Sequence, residues 1–373
     1  MQIEFVDLAR QNKLLFRNYS KIIAGVVKEA NFIAGSEVNV FESTFAAFCG
    51  KKYAVGVNSG TDALLLSLIA YGIGRGDEVI TAPNTFFATV EAIHATGAKV
   101  IFADIDPATY TLNPQQVAKK VTSRTRAIIP IHLFGQPTDM DPLLLLAQKY
   151  HLKIIEDCCQ AHGARYKGKL VPYSETGAFS FYPSKNLGGF GDGGIVVTDN
   201  ALIAAKVRRF RNHGASQKYT HEVFGFNSRL DTLQAAILNF KLKHLVNWNR
   251  LRQKHSLFYI ELLQQLTQLQ LPKPADFTTH VYHIFAITTP HRHQLQKFLR
   301  SRGIATGIHY PVPLHLTRPF LAQGHKRGDF PIAEGTSKRL LSLPMFPELK
   351  QTEIKYIAAT IHEFFRLKKS SRP

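Results

Sequence analysis

Through the first half of the chain, short apolar runs alternate with segments whose apolar residues recur at helical spacing. Tyr53–Val57, Glu78–Thr81, Lys99–Asp104, Ala127–His132, Lys153–Glu156, Ala178–Tyr182 and Gly194–Thr198 read as strands. Between most of them lie helical patterns, at Thr61–Tyr71, Thr85–Thr96 and Asp139–Tyr150. Strands that are apolar almost throughout need cover on both faces. The alternation therefore predicts an α/β fold with a mainly parallel seven-stranded sheet between helices. In such sheets ligands gather at the carboxyl ends of the strands, so the following loops are where chemistry is sought.

Near Leu230 the pattern changes. Arg229–Leu266 contains no Gly or Pro and predicts one or two long helices. A proline-containing break at Leu271–Ala275 follows, then a strand-like Val281–Thr289, a helix at His291–Arg302 and a final helix at Gln351–Leu367. This predicts a large domain of residues 1–245 and a smaller C-terminal α+β domain of residues 246–373, as suits a chain of 373 residues. The basic end, Leu367–Pro373, is expected to fray.

With 45% hydrophobic and 20% charged residues, the chain can bury a core and is not globally disordered. Its three cysteines, Cys49, Cys158 and Cys159, cannot build a disulfide framework. The first residues carry acids and no signal-type apolar core. The longest apolar stretch, Ala63–Gly74, is too short for the roughly 20 residues that span a bilayer. A cytoplasmic protein without a membrane span is the expectation.

Charge adds one question. Lys and Arg number 46 against 27 Asp and Glu, a formal net charge of +19. Such a balance suits an anionic partner. Between Lys206 and Lys254 stand eleven basic residues against Glu222 and Asp231, either a solvated helix face or a patch that attracts phosphates. A nucleic-acid-binding regulator is the competing class. No helix-turn-helix signature, zinc-finger spacing or RNP-like motif accompanies the charge.

Three segments carry candidate chemistry. Asn58-Ser-Gly-Thr-Asp-Ala63 follows a strand and opens a helix. Its small residues let backbone N–H groups approach a phosphate, although Thr61 or Asp62 could be a plain N-cap. Ile154–His162 ends a strand in Asp157, with Gln160 and His162 just beyond; its adjacent cysteines lack zinc spacing, so no metal is expected. Ser180–Gly194 holds Lys185 on a turn after a strand, backed by glycines. Gly189, Gly191 and Gly194 formally spell GxGxxG, but the run precedes a strand instead of opening a helix.

Together these pieces fit pyridoxal 5'-phosphate (PLP). PLP needs a lysine for its aldehyde, an acid for its ring nitrogen, a helix N-terminus and hydroxyls for its phosphate, and an aromatic face. Lys185, Asp157, Gly60 and Thr61 with Ser180, and Phe86 could supply them.

NSGTDAL, DEVITAPNTFFAT, IEDCCQAHGA, FSFYPSKNLGGFGDGG, FNSRLDTLQAAIL, GIHYPVPLHL and LSLPMFPEL, in order from about Ile3 to Phe364, resemble the DegT/StrS family of PLP-dependent nucleotide-sugar aminotransferases. The resemblance implies the aspartate-aminotransferase type of fold and a homodimer with active sites at the subunit interface. It implies that Lys185 bonds to the cofactor and moves the proton, and that Asp157 keeps the ring nitrogen protonated. Gln160 would bond the ring hydroxyl and Phe86 would stack on the ring. Gly60, Thr61 and Ser180 would hold the phosphate, joined by Asn227 from the other subunit, where a helix N-cap is the alternative. Arg229 would be a dimer salt bridge or a ligand contact. His309 and Tyr310, and more weakly His315, correspond to positions near the sugar-nucleotide pocket. Lys185 itself argues against the family's dehydratase branch, where a histidine replaces it.

The implied reaction moves an amino group from L-glutamate to a nucleotide-linked keto-sugar. HLFGQPTDMD, QAHGARYKGK and KNLGGFGDGG look most similar to enzymes that aminate C3 of a dTDP-linked 3-keto-6-deoxyhexose. C4 amination of a UDP- or dTDP-4-keto-sugar is the runner-up.

Overall fold

A computed structural model describes residues 1–370. Seven strands form the central sheet: β1 Tyr53–Val57, β2 Glu78–Thr81, β3 Lys99–Phe102, β4 Thr125–Ile128, β5 Lys153–Asp157, β6 Thr176–Ser180 and β7 Gly194–Thr198. Their order is β1-β7-β6-β5-β4-β2-β3. Only β7 is reversed, pairing antiparallel with both β1 and β6, while the other pairs are parallel. The mainly parallel seven-stranded sheet predicted from the pattern is present, with ends shifted by a few residues.

Alternation along the strands explains why both faces are covered. Val55, Val57, Ala178 and Val196 face one apolar cluster, which includes the helix Gly60–Ala70. Ala54, Phe179, Ile195 and Val197 face another, built on the helix Ser36–Cys49 and the start of the helix Thr232–Leu263. Period-2 side chains thus meet helices on each side of the sheet.

A third cluster lies around the hairpin Phe285–Thr288 and Leu340–Leu343 with the helices Arg292–Ser301 and Gln351–Ser370. It also takes in Ile3 and Val6 from the start of the chain. The predicted pair of long helices is one, Thr232–Leu263. The boundary expected between residues 245 and 246 falls inside it. Leu245 packs into the second cluster and Tyr259 into the third, so the helix is shared by both packing units.

The basic end is helical to Ser370, and residues 371–373 lie outside the described residues. Among the described residues no helix is long and apolar enough to cross a membrane. Part of the Lys206–Lys254 run is engaged within the fold. Arg209 pairs with Glu222 at 2.6 Å, Arg211 pairs with Glu42, and Lys206 donates to the Ala70 carbonyl at 3.0 Å. Lys241 and Arg252 are buried, Arg252 against the carbonyls of Tyr282, His283 and Met345.

Candidate active site

The carboxyl ends of β1, β5 and β6 meet at a cavity of about 600 Å³. Its wall on the sheet side includes Gly60, Thr61, Phe86, Asp157, Gln160, Ser180 and Lys185, and its opposite wall Phe5, Val6, His309 and Tyr310. Nine of the twelve residues that the resemblance singles out therefore converge on one space. Asn227 does not line it. It is exposed and pairs through its backbone with Asn212 of the same chain.

Gly60 opens the helix that follows β1, and the Ser59 hydroxyl caps that helix by accepting from the Asp62 N–H at 3.1 Å. The backbone here runs close against β6 and the loop after β5. A Cβ on Gly60 would lie 2.7 Å from Ser180 Cβ and 2.8 Å from Cys159 Sγ, so the approach requires glycine. The uncapped N–H groups at Gly60 and Thr61, the helix dipole and the Ser180 hydroxyl could hold a phosphate.

Asp157 ends β5 and is 6% exposed. Its Oδ1 accepts from the Cys159 N–H at 3.1 Å and its Oδ2 from the Thr89 hydroxyl at 2.9 Å. These bonds fix the carboxylate's direction. Gln160 is locked through its Oε1, which accepts from the Phe134 N–H at 2.7 Å, and its Nε2 donates to the Tyr310 hydroxyl at 3.2 Å. Phe86 is 58% exposed with its ring centroid 6.0 Å from that of Tyr310, so it offers a face to a planar ligand.

Lys185 sits on the turn after β6, its N–H donating to the Tyr182 carbonyl. Among the described residues its ammonium has no hydrogen bond or ion pair. Burial lowers its pKa, opposed by the neighbouring Cys159 and Asp157. The turn is anchored one residue on, where buried Asn186 donates to Asn249 Oδ1 at 2.9 Å and to the Val281 carbonyl at 3.1 Å. A partly desolvated, unpaired amine on a fixed turn is suited to bond to a carbonyl and to carry protons.

His309 bonds Ser342 Oγ through Nδ1 at 2.9 Å, and burial with the Lys185 charge pushes its pKa down to about 4. His283, also on the wall, is lowered well below the ordinary value by burial and Lys185. Both are neutral at pH 7. His315 lies outside the cavity. It is fully buried, bonds Glu334 at 3.0 Å and packs on Phe330, which makes it a core histidine. Arg229 donates to Asn212 Oδ1 at 3.0 Å within the same chain.

Buried His132, Glu156 and Cys158 bring three ligand-type atoms within 4.8 Å of one another. His132 and Glu156 are already engaged with each other and with backbone N–H groups. His132 Nδ1 accepts from the Thr138 N–H, so its other ring nitrogen donates to Glu156, which also accepts from the Tyr173 and Ser174 N–H groups. This pair stiffens the loops behind Asp157.

Reasoning from the sequence missed Thr89, Asn186, His283, Phe5 and Val6. Thr89 and Asn186 stood inside quoted motifs, and the helical period from Thr85 put Thr89 on the face that carries Thr85. Phe5 and Val6 gave no signal, because only packing against residues 303–309 brings them to the cavity.

A reversed strand in an otherwise parallel sheet, with a lysine, an acid and a phosphate cradle at the strand ends, defines a PLP-dependent aminotransferase of the aspartate-aminotransferase type. The chain belongs to the DegT/DnrJ/EryC1/StrS aminotransferase family, whose sequence pattern matches residues 17–362. It is 43% identical to a dTDP-3-amino-3,4,6-trideoxy-alpha-D-glucose transaminase of Streptomyces venezuelae, over 97% of this chain and 96% of that one. It is 44% identical to a "pleiotropic regulatory protein" of Geobacillus stearothermophilus, over 98% and 99% of the two chains. The crystal structure of S. venezuelae DesV superposes with a TM-score of 0.96 at 42% identity, covering 97% of this chain and 98% of that one.

Proposed function

We propose that this protein transfers the amino group of L-glutamate to C3 of a nucleotide-linked 3-keto-sugar, with a dTDP-linked 6-deoxyhexose as the best candidate. The observation that carries this reading is the convergence of Lys185, Asp157, Gln160 and the Gly60–Ser180 cradle on one cavity. When bound, PLP supplies an electron-withdrawing ring that stabilises negative charge at the carbon losing its proton. Gly60, Thr61 and Ser180 hold its phosphate, and Phe86 lies against its ring. Gln160 bonds the ring hydroxyl, and Asp157 holds a proton on the ring nitrogen.

With the cofactor bound, Lys185 Nζ would take the proton from the α-carbon of glutamate and deliver it, past the linking nitrogen, to the carbon that had carried the cofactor's aldehyde. In the second half of the cycle the same nitrogen carries the proton back to the sugar carbon. Its lowered pKa increases the unprotonated fraction near neutrality, as a base requires. Neutral His309 and His283 leave Lys185 without a competing cation on that wall.

The reading includes a cytoplasmic homodimer in which Asn227 joins the partner's phosphate site. Exposed Tyr219, Val223, Phe224 and Phe226 lead up to Asn227, and an apolar surface of that kind is what an interface covers. The two units of residues 1–245 and 246–373 remain part of this reading, with the long helix shared between them.

The test is the visible absorption spectrum of purified protein before and after L-glutamate. A yellow, lysine-bound cofactor that bleaches with glutamate, and regains colour with the keto-sugar, supports the proposal. A protein that stays colourless after incubation with PLP overturns it. Sequence-preferring DNA binding by such a protein would favour the regulatory reading that one relative's name carries.

A further inference from the structure

Hydroxyls on the helices of this protein commonly turn back to their own backbone. Thr44 donates to the Val40 carbonyl, Ser67 to that of Ala63 and Thr360 to that of Tyr356, at 2.7, 2.7 and 2.8 Å. Thr89, in the first turn of the helix Phe87–Ala95, spends its hydroxyl across the fold instead. It donates to Asp157 Oδ2 at 2.9 Å, 68 positions away.

Behind it stands Thr85, whose hydroxyl oxygen lies 3.2 Å from that of Thr89. A hydroxyl owns one proton. Because Thr89 gives its proton to Asp157, the bond between the threonines must run from Thr85 to Thr89. The two hydroxyls therefore form a one-way chain that ends on the acid. The other oxygen, Oδ1, accepts from the Cys159 N–H at 3.1 Å. Held at both oxygens, the carboxylate cannot turn about its Cβ–Cγ bond without breaking these contacts. Thr85 and Thr89 are 2% and 1% exposed, so this chain's own packing encloses them and the arrangement is complete within one subunit.

We propose that Thr89, with Thr85 behind it, is a positioning residue for the aminotransferase reaction. Its hydroxyl fixes the Asp157 carboxylate in the direction that meets the cofactor's ring nitrogen. The proposal rests on the aminotransferase reading and deepens it. Thr89 acts through Asp157: an acid already aimed needs no reorganisation when the ring arrives.

The experiment is a double-mutant cycle with two readouts. One is PLP affinity, from absorbance titration of protein stripped of cofactor; the other is the single-turnover rate with L-glutamate. Thr89→Val keeps the shape and deletes the hydroxyl. It is expected to weaken PLP binding about fivefold and to slow the glutamate half-reaction about tenfold. Thr89→Ser, which keeps the hydroxyl, is expected to recover most of both. Thr85→Val is expected to cost only about twofold, since Thr89 still donates. In an Asp157→Asn background, Thr89→Val is expected to change either readout by less than about twofold, because its route through the carboxylate is already lost. A merely structural threonine would cost the same in both backgrounds. Equal losses in the two backgrounds overturn the proposal, as do wild-type values in Thr89→Val or a failure of Thr89→Ser to recover them. If wild-type protein fails to bleach with glutamate, the aminotransferase reading itself falls; if it bleaches and Thr89→Val matches it, only this inference falls.

Discussion

The two walls of the cavity are built on different principles. On the sheet side, Gly60, Asp157, Ser180 and Lys185 each sit at or just after the end of a strand, so backbone topology sets their positions to within a turn. Opposite, Phe5, His309 and Tyr310 come from chain segments about three hundred residues apart, held by one ladder of backbone bonds and one arginine–glutamate pair. The first wall carries charge and hydrogen-bond direction, which any PLP chemistry needs. The second carries shape and apolar surface. The contrast teaches that strand ends fix one wall locally, while the other depends on packing between distant segments.

Variants on the sheet side should damage both half-reactions. Lys185→Ala removes the proton carrier and the attachment point. It is expected to lower turnover by about 10⁴-fold or more in stopped-flow assays with either substrate. Asp157→Ala removes the charge that faces the ring nitrogen, with an expected loss in kcat of about 10²–10³-fold for both half-reactions. Near-normal turnover in either variant would refute that residue's role.

Gly60→Ala drives a methyl group into Ser180 and Cys159. Overpacking of this kind costs about 1–3 kcal/mol, so PLP affinity, followed by absorbance titration, is expected to weaken about tenfold. Tyr310→Phe deletes the hydroxyl that accepts from Gln160. A lost neutral hydrogen bond is worth about 1 kcal/mol, and Gln160 is the residue proposed to face the cofactor in both halves, so kcat/KM is expected to fall about fivefold for both substrates. A loss confined to the keto-sugar half would give the Tyr310 hydroxyl a role of its own there.

The smallest expected effect is on stability. Burial depresses the pKa of His162 to about 3 and, with the charge of Lys185, that of His309 to about 4, from an ordinary value of 6.5. Below pH 6.5 the unfolded chain binds protons that the folded chain refuses. The stabilisation is therefore complete above pH 6.5 and is lost as pH falls through the folded values. Tm should decline from pH 6.5 toward pH 4, and the slope should be shallower in His162→Gln. An identical slope in that variant would remove His162 from the account.

Much of the site was legible because its residues obey local rules. Asp157 ends an apolar strand, Gly60 starts a helix after another, and Lys185 stands on a turn before a glycine run, so adjacent chain positions reported where they stand. His315 misled because a motif shows proximity in sequence and not orientation. Its ring turns into the core toward Glu334 and Phe330 instead of the cavity. The basic run 206–254 left two readings open for a related reason: charge is counted along the chain, but Arg209, Arg211 and Arg252 spend theirs on Glu222, Glu42 and buried carbonyls.

By itself the sequence determined the strand–helix alternation, the parallel sheet and the loops that bear the lysine, the acid and the phosphate cradle. Period and strand ends are properties of contiguous residues, and the family pattern is written in the same short runs. Tertiary structure alone decided that Phe5 faces His309, that Thr89 aims Asp157 and that Asn186 pins the lysine turn. Those contacts join residues 68 to 304 positions apart, or depend on which side of a turn a side chain faces, and no local period encodes either.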